Sequence, residues 1–357
     1  MKKEEQWDSS EVSCIFCGKK GLVSFPLATC KDCLKKDGEE IKLHIEKVHR
    51  RIRAKFSLPY LQKEEGIRCK ICANNCLIPE GEWGFCGIRK NVGGKLRSFA
   101  GTPSRGWLHY YFDPHPTNCV AEWVCPERNH YGFYNLAVFY NACSFNCLYC
   151  QNWHFREEER FTPLYSWREM VEVLNSRTTC ICFFGGDPTP QLPHALKFSK
   201  EAWERWRVRI CWETNGSMNR KLLEKMAEIS LVSGGIIKFD LKAYTESIHI
   251  ALTGVSNSQT LDNFKYLAEN WWREDPPSVV ASTLLVPGYV EEEEVEAISR
   301  FIASLNPEIP YSLLAFYPCF EMQDLPTTSR KLAYNCLEIA KNAGLRRVKI
   351  GNTHLLS

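Results

Sequence analysis

The 357-residue sequence predicts an α/β protein: a partial barrel of six βα units behind an N-terminal Cys-rich metal-binding region. Three observations carry this. From about residue 135, short β-branched and aromatic runs alternate with helix-length amphipathic segments, the pattern of repeated βα units on a parallel sheet. The residues before that point show little periodicity. The chain also holds 18 cysteines, most of them clustered. Six units fall short of the eight that close a barrel, and loops at the strand C-termini are where a site is expected.

Residues 1–60 form the first expected unit. Cys14, Cys17, Cys30 and Cys33 have the paired C-x2-C spacing of a zinc ribbon or rubredoxin-like knuckle, and an amphipathic helix is expected over 39–55. Residues 61–134 form a second accessory region. There Cys69, Cys72, Cys76 and Cys86 place four thiols within 18 residues, which suits tetrahedral zinc, or iron, as a structural staple. Small modules of this kind usually need metal to fold. The aromatic run that follows, with Trp107, Tyr110, Tyr111 and Phe112, can line a peptide groove, cover a flat cofactor or form a loop-rich minor core.

Residues 135–357 carry the barrel. Strands are expected at 135–140, 179–184, 207–212, 235–241, 278–286 and 311–316, with a further strand at 347–350. Helices are expected at 166–174, 194–206, 219–228, 261–270, 291–304 and 330–343, and Gly344 stops the last of them.

With 44% apolar and 24% charged residues the chain has the balance of a folded protein. Its net charge of +3 is spread over interleaved charges, so no basic stripe indicates nucleic acid. The start, residues 1–10, is polar, and no apolar run approaches the roughly 18 residues that span a bilayer. A cytoplasmic location is expected, without membrane association. Cysteines in that compartment read as metal ligands rather than as a disulfide framework.

The chemistry-bearing motif follows the first barrel strand: Asn141-Ala-Cys143-Ser-Phe-Asn-Cys147-Leu-Tyr-Cys150, a C-x3-C-x2-C loop. A cubane cluster normally takes four thiolates. Three from one loop leave one iron open, and that iron can chelate the amino and carboxylate groups of S-adenosyl-L-methionine (SAM). One electron then cleaves the sulfonium to a hydrogen-abstracting 5′-deoxyadenosyl radical. The same spacing also fits a zinc knuckle, or a ferredoxin-type cluster completed by a distant cysteine. Several of the other cysteines, Cys119, Cys125, Cys180, Cys182, Cys211, Cys319 and Cys336, read as ordinary buried thiols.

The triad, Tyr149 before its last cysteine, and Gly185-Gly186-Asp187-Pro188-Thr189 after the second strand resemble the radical SAM superfamily over about residues 135–352. The resemblance implies a radical SAM partial barrel with Cys143, Cys147 and Cys150 holding a catalytic [4Fe–4S] cluster. It implies that Tyr149 and the glycine stretch, through Pro188 and Thr189, bind SAM, the glycines allowing close backbone approach. Asp187 stands where Glu is more usual. By the same resemblance Glu213, Thr214 and Asn215 contact the SAM carboxylate or ribose. Asp240 and Lys242 either reach substrate or SAM, or form a buried pair that holds loops together. The turn at 286–289 either lets backbone approach the adenine or is an ordinary strand-to-helix turn.

The second quartet, with Gly81-Glu-Trp-Gly84-Phe-Cys86-Gly87 and Gly93-Gly94-Lys95-Leu96, resembles the leader segment of the AmmeMemoRadiSam group, relatives of the pyruvate formate-lyase activating enzymes. That likeness continues through Cys150-Gln151-Asn152-Trp153 and Phe316-Tyr-Pro318 to Gly351-Asn352. It implies a peptide or protein substrate and a low-potential electron donor such as ferredoxin or flavodoxin. The leading expectation is post-translational C-methylation with cobalamin, as in enzymes that methylate a glutamine of methyl-coenzyme M reductase. Asp113-Pro-His115-Pro-Thr-Asn118 resembles, without its final glycine, the histidine signature of base-off cobalamin domains. The alternative is a glycyl-radical enzyme activase. A reading of another class is a non-catalytic, metal-stapled binding protein.

Overall fold

The computed structural model describes residues 12–60 and 65–357; the polar stretch 1–10 lies outside the described residues. The chain begins with α1 (Lys31–Lys36) and α2 (Glu39–Ala54). Two small antiparallel hairpins follow, β1 (Ile67–Arg68) with β2 (Leu77–Ile78) and β3 (Arg89–Val92) with β4 (Lys95–Ser98). Next come β5 (Gly106–Pro114), β6 (Tyr134–Tyr140), β7 (Leu164–Tyr165), α3 (Trp167–Glu172), β8 (Thr178–Phe184) and α4 (Leu192–Trp206). Then β9 (Arg209–Thr214), α5 (Arg220–Ser233), β10 (Ile237–Asp240), α6 (Glu246–Thr253), α7 (Ser258–Asn270) and β11 (Val279–Leu285) continue the alternation. It closes with α8 (Glu292–Leu305), β12 (Tyr311–Ala315), α9 (Arg330–Asn342) and β13 (Val348–Gly351).

Nine strands form one open sheet in the order β13-β12-β11-β10-β9-β8-β6-β5-β7. All neighbours from β6 to β13 are parallel, and β5 is antiparallel to both β6 and β7. This is the expected α/β architecture, with a central, mostly parallel sheet. Its strands are buried on both faces and so read as nearly continuous apolar runs. On β8, Ile181 and Phe183 pack in the main core with Leu192, Ala195 and Phe198 of α4, while Cys182 and Phe184 join a smaller cluster on the opposite face.

Local signals set the helix ends. Ser166 makes a capping box with Glu169 at the start of α3, Asn219 and Ser329 cap α5 and α9, and Gly234 ends α5 in the left-handed region at φ 72°.

Two of the elements beyond the sequence expectation bear on the site. The run Gly-Trp-Leu-His-Tyr-Tyr-Phe-Asp-Pro, expected in an accessory region, forms β5 and joins the central sheet. Between β10 and α7 the short α6 buries Ile248, Ala251 and Leu252 and receives hydrogen bonds from the cysteine loop: Asn146 N–H to the Thr253 carbonyl at 2.7 Å and Leu148 N–H to the Leu252 carbonyl at 3.0 Å.

Candidate active site

The C-terminal ends of the parallel strands surround a cavity of about 220 Å³. Cys143, Cys147, Tyr149 and Cys150 line it after β6, Gly185, Gly186 and Asp187 after β8, Glu213, Thr214 and Asn215 at β9, and Asp240 and Lys242 at β10. Twelve predicted site residues thus meet in one place. Pro188 and Thr189 stand behind Asp187, with Thr189 fully buried.

The glycine loop lies tightly on the end of β6. A Cβ at Gly186, where φ is +54°, would come within 2.1 Å of the Tyr140 carbonyl oxygen and 2.5 Å of that of Ala142. The residues that demand glycine are therefore the chain's own, at the entrance to the cysteine loop. Asp187 closes this arrangement. Its buried carboxylate accepts from Thr189 N–H at 2.8 Å, Asn215 N–H at 2.7 Å and the Thr214 hydroxyl at 3.0 Å. Burial pushes its pKa up, and these hydrogen bonds oppose the rise. A carboxylate shorter than Glu is the length that staples the β8 loop to the β9 turn.

Asp240 and Lys242 form a short hydrogen-bonded ion pair on the cavity wall, and the Lys242 ammonium sits 5.7 Å from the centroid of the Tyr149 ring. The Tyr149 hydroxyl is buried and has no hydrogen-bond partner within the protein. An orphaned hydroxyl in this wall, three thiols from one loop and the close-lying glycines together fit a cluster with a polar ligand beside it.

N-terminal elements hold the cysteine loop in place. The Asn146 amide donates to His49 Nδ1 of α2 at 2.8 Å and its oxygen accepts from Arg156 at 2.6 Å. Asn74 donates to the Ser144 carbonyl at 2.6 Å, and the Ser144 hydroxyl meets those of Ser217 at 2.8 Å and the Asn215 amide at 2.9 Å.

Below the predicted residues lies a constellation the sequence did not reveal. The segment between β5 and β6 crosses the inner face of the sheet. Val120 N–H points to Glu213 Oε1 at 3.4 Å, the Val120 carbonyl accepts from Ser312 of β12 at 2.8 Å, and Trp123 donates to Ser312 at 3.0 Å. At its centre the Lys238 ammonium of β10, 2% exposed, lies 2.7 Å from Cys182 Sγ, 3.2 Å from Cys119 Sγ and 3.6 Å from Glu213 Oε1. Burial works against the Lys238 charge, but Cys119, Cys182 and Glu213 carry its pKa well above the ordinary value. Burial pushes Glu213 up to about 8, with Lys238 opposing. The hydrogen bond with Cys182 and the Lys238 charge hold the Cys119 thiol well below its ordinary range, against burial. One signal was present in the sequence: a lysine between Ile237 and Phe239 interrupts an apolar strand.

The sulfur sets differ in spacing. The ligand atoms of Cys14, Cys17, Cys30 and Cys33 all lie within 4.8 Å of one another, as a single tetrahedral ion requires. Among the described residues no three sulfurs of Cys69, Cys72, Cys76 and Cys86 are so close, and neither are those of Cys143, Cys147 and Cys150. The single tetrahedral zinc or iron ion expected at the second quartet would need its sulfurs to draw closer than they stand. The buried His115 ring is engaged by the Thr179 hydroxyl at 2.8 Å and is not among the residues that line the cavity. The turn at 286–289 is covered by the N-terminal module, since a Cβ on Gly288 would meet the Leu22 carbonyl oxygen at 2.2 Å. Among the described residues no helix is long and apolar enough to cross a membrane, and all cysteines are free.

Residues 137–302 match the family model of the Radical SAM superfamily. The chain is 26% identical over 308 residues to an uncharacterized protein of Methanocaldococcus jannaschii, covering 80% of this chain and 81% of that protein. It is 33% identical over 135 residues to the isethionate sulfite-lyase activating enzyme of Desulfovibrio desulfuricans, covering 37% and 40% of the two chains. It is 26% identical over 165 residues to the pyruvate formate-lyase 1-activating enzyme of Escherichia coli, covering 44% and 63%. The chain thus spans less than two thirds of the length of either activating enzyme.

Proposed function

We propose that the chain is a radical SAM enzyme, the superfamily whose model residues 137–302 match, and that it abstracts a hydrogen atom from carbon of a peptide or protein, as a glycyl-radical enzyme activase. The observation that carries this reading is the single cavity in which an open three-thiol loop faces the glycine stretch and a wall of polar strand ends. Bound there, a [4Fe–4S] cluster and SAM supply the electron and the hydrogen-abstracting radical.

The chain's own residues do the rest. Cys143, Cys147 and Cys150 would hold the cluster through three thiolates, and SAM would bind beside it. Asp187 fixes the glycine loop against the Thr214-Asn215 turn, so that loop backbone and the Asn215 side chain keep their places while SAM enters. The Tyr149 hydroxyl and the Lys242–Asp240 pair present polar groups to SAM. Glu213, joined to Lys238, lines the same cavity at its floor. The names of the two activating relatives support a protein substrate, and a ferredoxin or flavodoxin class donor suits a cluster of this kind. Unpaired cysteines throughout the described residues suit a reducing cytoplasm.

C-methylation with cobalamin is the second reading; its candidate histidine, His115, is engaged by the Thr179 hydroxyl. Anaerobically reconstituted, reduced protein given SAM and a candidate glycyl-radical partner should yield 5′-deoxyadenosine and a glycyl radical signal by electron paramagnetic resonance, both lost in Cys143→Ala. A retained corrinoid with a one-methyl mass increment on a peptide would replace the activase reading with the methyltransferase. Absence of 5′-deoxyadenosine in every condition would leave a non-catalytic metal-stapled protein.

A further inference from the structure

We propose that Cys119 and Cys182 are an oxidative modification site: an attacking and a resolving cysteine that a peroxide joins into a disulfide at the floor of the cavity. The pair stands on its own geometry and does not depend on the proposed function.

Position is the first argument. Cys182 lies on β8, 3% exposed, and Cys119 lies on the segment between β5 and β6 that crosses the inner face of the sheet. Both sulfurs touch one nitrogen: Lys238 Nζ is 2.7 Å from Cys182 Sγ and 3.2 Å from Cys119 Sγ. The two thiols are also hydrogen-bonded to each other.

The second argument is that the two thiols differ in the way an attacking and a resolving cysteine must. Cys119 is half-buried, and its sulfur accepts from Ala121 N–H at 3.4 Å as well as from Lys238. Two N–H donors and a fixed positive charge favour the thiolate, and this thiol is held well below its ordinary range. Cys182 instead packs in an apolar cluster with Ala137, Phe184 and Val280, and burial pushes its thiol well above that range. Lys238 is nearer to Cys182, yet the thiolate belongs to Cys119, because that sulfur adds a backbone donor and is the more exposed.

Surroundings are the third. Val120 and Lys238, which flank Cys119, line the cavity, so the cavity leads a molecule as small as hydrogen peroxide to this sulfur. Cys211, the register partner of Cys182 on β9, and Cys125 are both raised by burial, which leaves Cys119 the most reactive thiol of the group.

The chemistry balances in two steps. The Cys119 thiolate attacks peroxide, an S–O bond forms, the O–O bond breaks, and the hydroxide released takes a proton to become water. The Cys182 thiol then attacks the sulfenic sulfur, the S–S bond forms, the S–O bond breaks, and a second water leaves with the thiol proton. Two thiols lose two electrons and one peroxide gains them. The cross-link removes the anion that Cys119 supplies to Lys238 and leaves that ammonium to Glu213 at the cavity floor.

The test uses the full chain, treated anaerobically with equimolar hydrogen peroxide, blocked with iodoacetamide and digested for mass spectrometry. A peptide linking Cys119 to Cys182 is expected, lighter by two hydrogens than its separate halves and released by dithiothreitol. In Cys182→Ser the same treatment should leave Cys119 as a sulfenic acid that dimedone captures. In Lys238→Met, oxidation of Cys119 at pH 7 should slow about tenfold. The unaltered chain decides without any variant: a Cys119 that stays a free thiol while other cysteines oxidise, or one linked to Cys125 or Cys211 instead, would overturn the assignment. An unchanged rate in Lys238→Met with a parental unfolding midpoint would overturn activation by the lysine.

Discussion

Asp187 shows how one side chain joins two loops of a site. Its carboxylate is the common acceptor of a backbone N–H from each loop, so removing charge should loosen both. Asp187→Asn should cost about 1–3 kcal/mol of stability and weaken SAM binding, read by denaturant titration and calorimetry. A variant as stable as the parent, with unchanged SAM affinity, would show that the staple carries no energy. Cys119 makes the second argument at this scale. Held low by its hydrogen bond with Cys182 and by Lys238, it should alkylate with iodoacetamide at a rate flat well below the ordinary thiol range. Lys238→Met removes the charge, so alkylation of Cys119 at pH 7, followed by peptide mass spectrometry, should slow about tenfold.

Among the elements, α2 matters through His49. The ring is fully buried, Nδ1 accepts from Asn146, and Nε2 donates toward the carbonyls of Ile250 and Ala251 at 3.1 and 3.0 Å. Burial lowers its pKa to about 4, and the Arg53 and Arg156 charges add to this. The sign follows directly. Between about 6.5 and 4 the unfolded chain binds a proton at this residue and the folded chain does not, so stability falls as pH falls through that window. At pH 5 the loss should be about 2 kcal/mol, and denaturant midpoints at pH 7 and 5 should converge in His49→Gln.

Helix α7 acts on the other side of the site. Asn263 donates to the carbonyls of Gly216 and Met218 at 2.8 and 2.7 Å, and Thr260 to that of Asn215 at 2.7 Å, which fixes the turn after β9. Asn263→Leu leaves two buried carbonyls without their donor and should cost about 2 kcal/mol or more, read as a lowered midpoint of unfolding.

Across the whole molecule the N-terminal module is fastened to the barrel rather than tethered beside it. Tyr289 accepts from Ser24 N–H at 2.9 Å and donates to the Thr29 carbonyl at 3.1 Å, Ser24 donates to Asp324, and Lys31 pairs with Glu291 at 2.6 Å. Because Cys14, Cys17, Cys30 and Cys33 shape this module, stripping their metal should release the face around Gly288. Hydrogen exchange at residues 286–290 should rise after chelation and in Cys14→Ser with Cys17→Ser; unchanged protection would mean the module folds without metal.

Much of this was legible in the chain itself. Periodicity is a local property, so the parallel strands β6 and β8 to β13 and most barrel helices could be read directly, and caps such as Ser166 and Asn219 mark their starts. The catalytic triad is legible because its three ligands sit within eight residues of one loop. The run at β5 was not, since aromatics on successive positions give no alternation, and α6 is too short to show a period. Only the tertiary structure decided the rest. Lys238, Cys119 and Cys182 meet across segments far apart in sequence, and Asp187 has a role only once the β8 loop and β9 turn face each other. The two cysteine quartets make the same point: both announce metal sites in the sequence, but only the side-chain directions set by tertiary packing bring the sulfurs of Cys14, Cys17, Cys30 and Cys33 within 4.8 Å of one another.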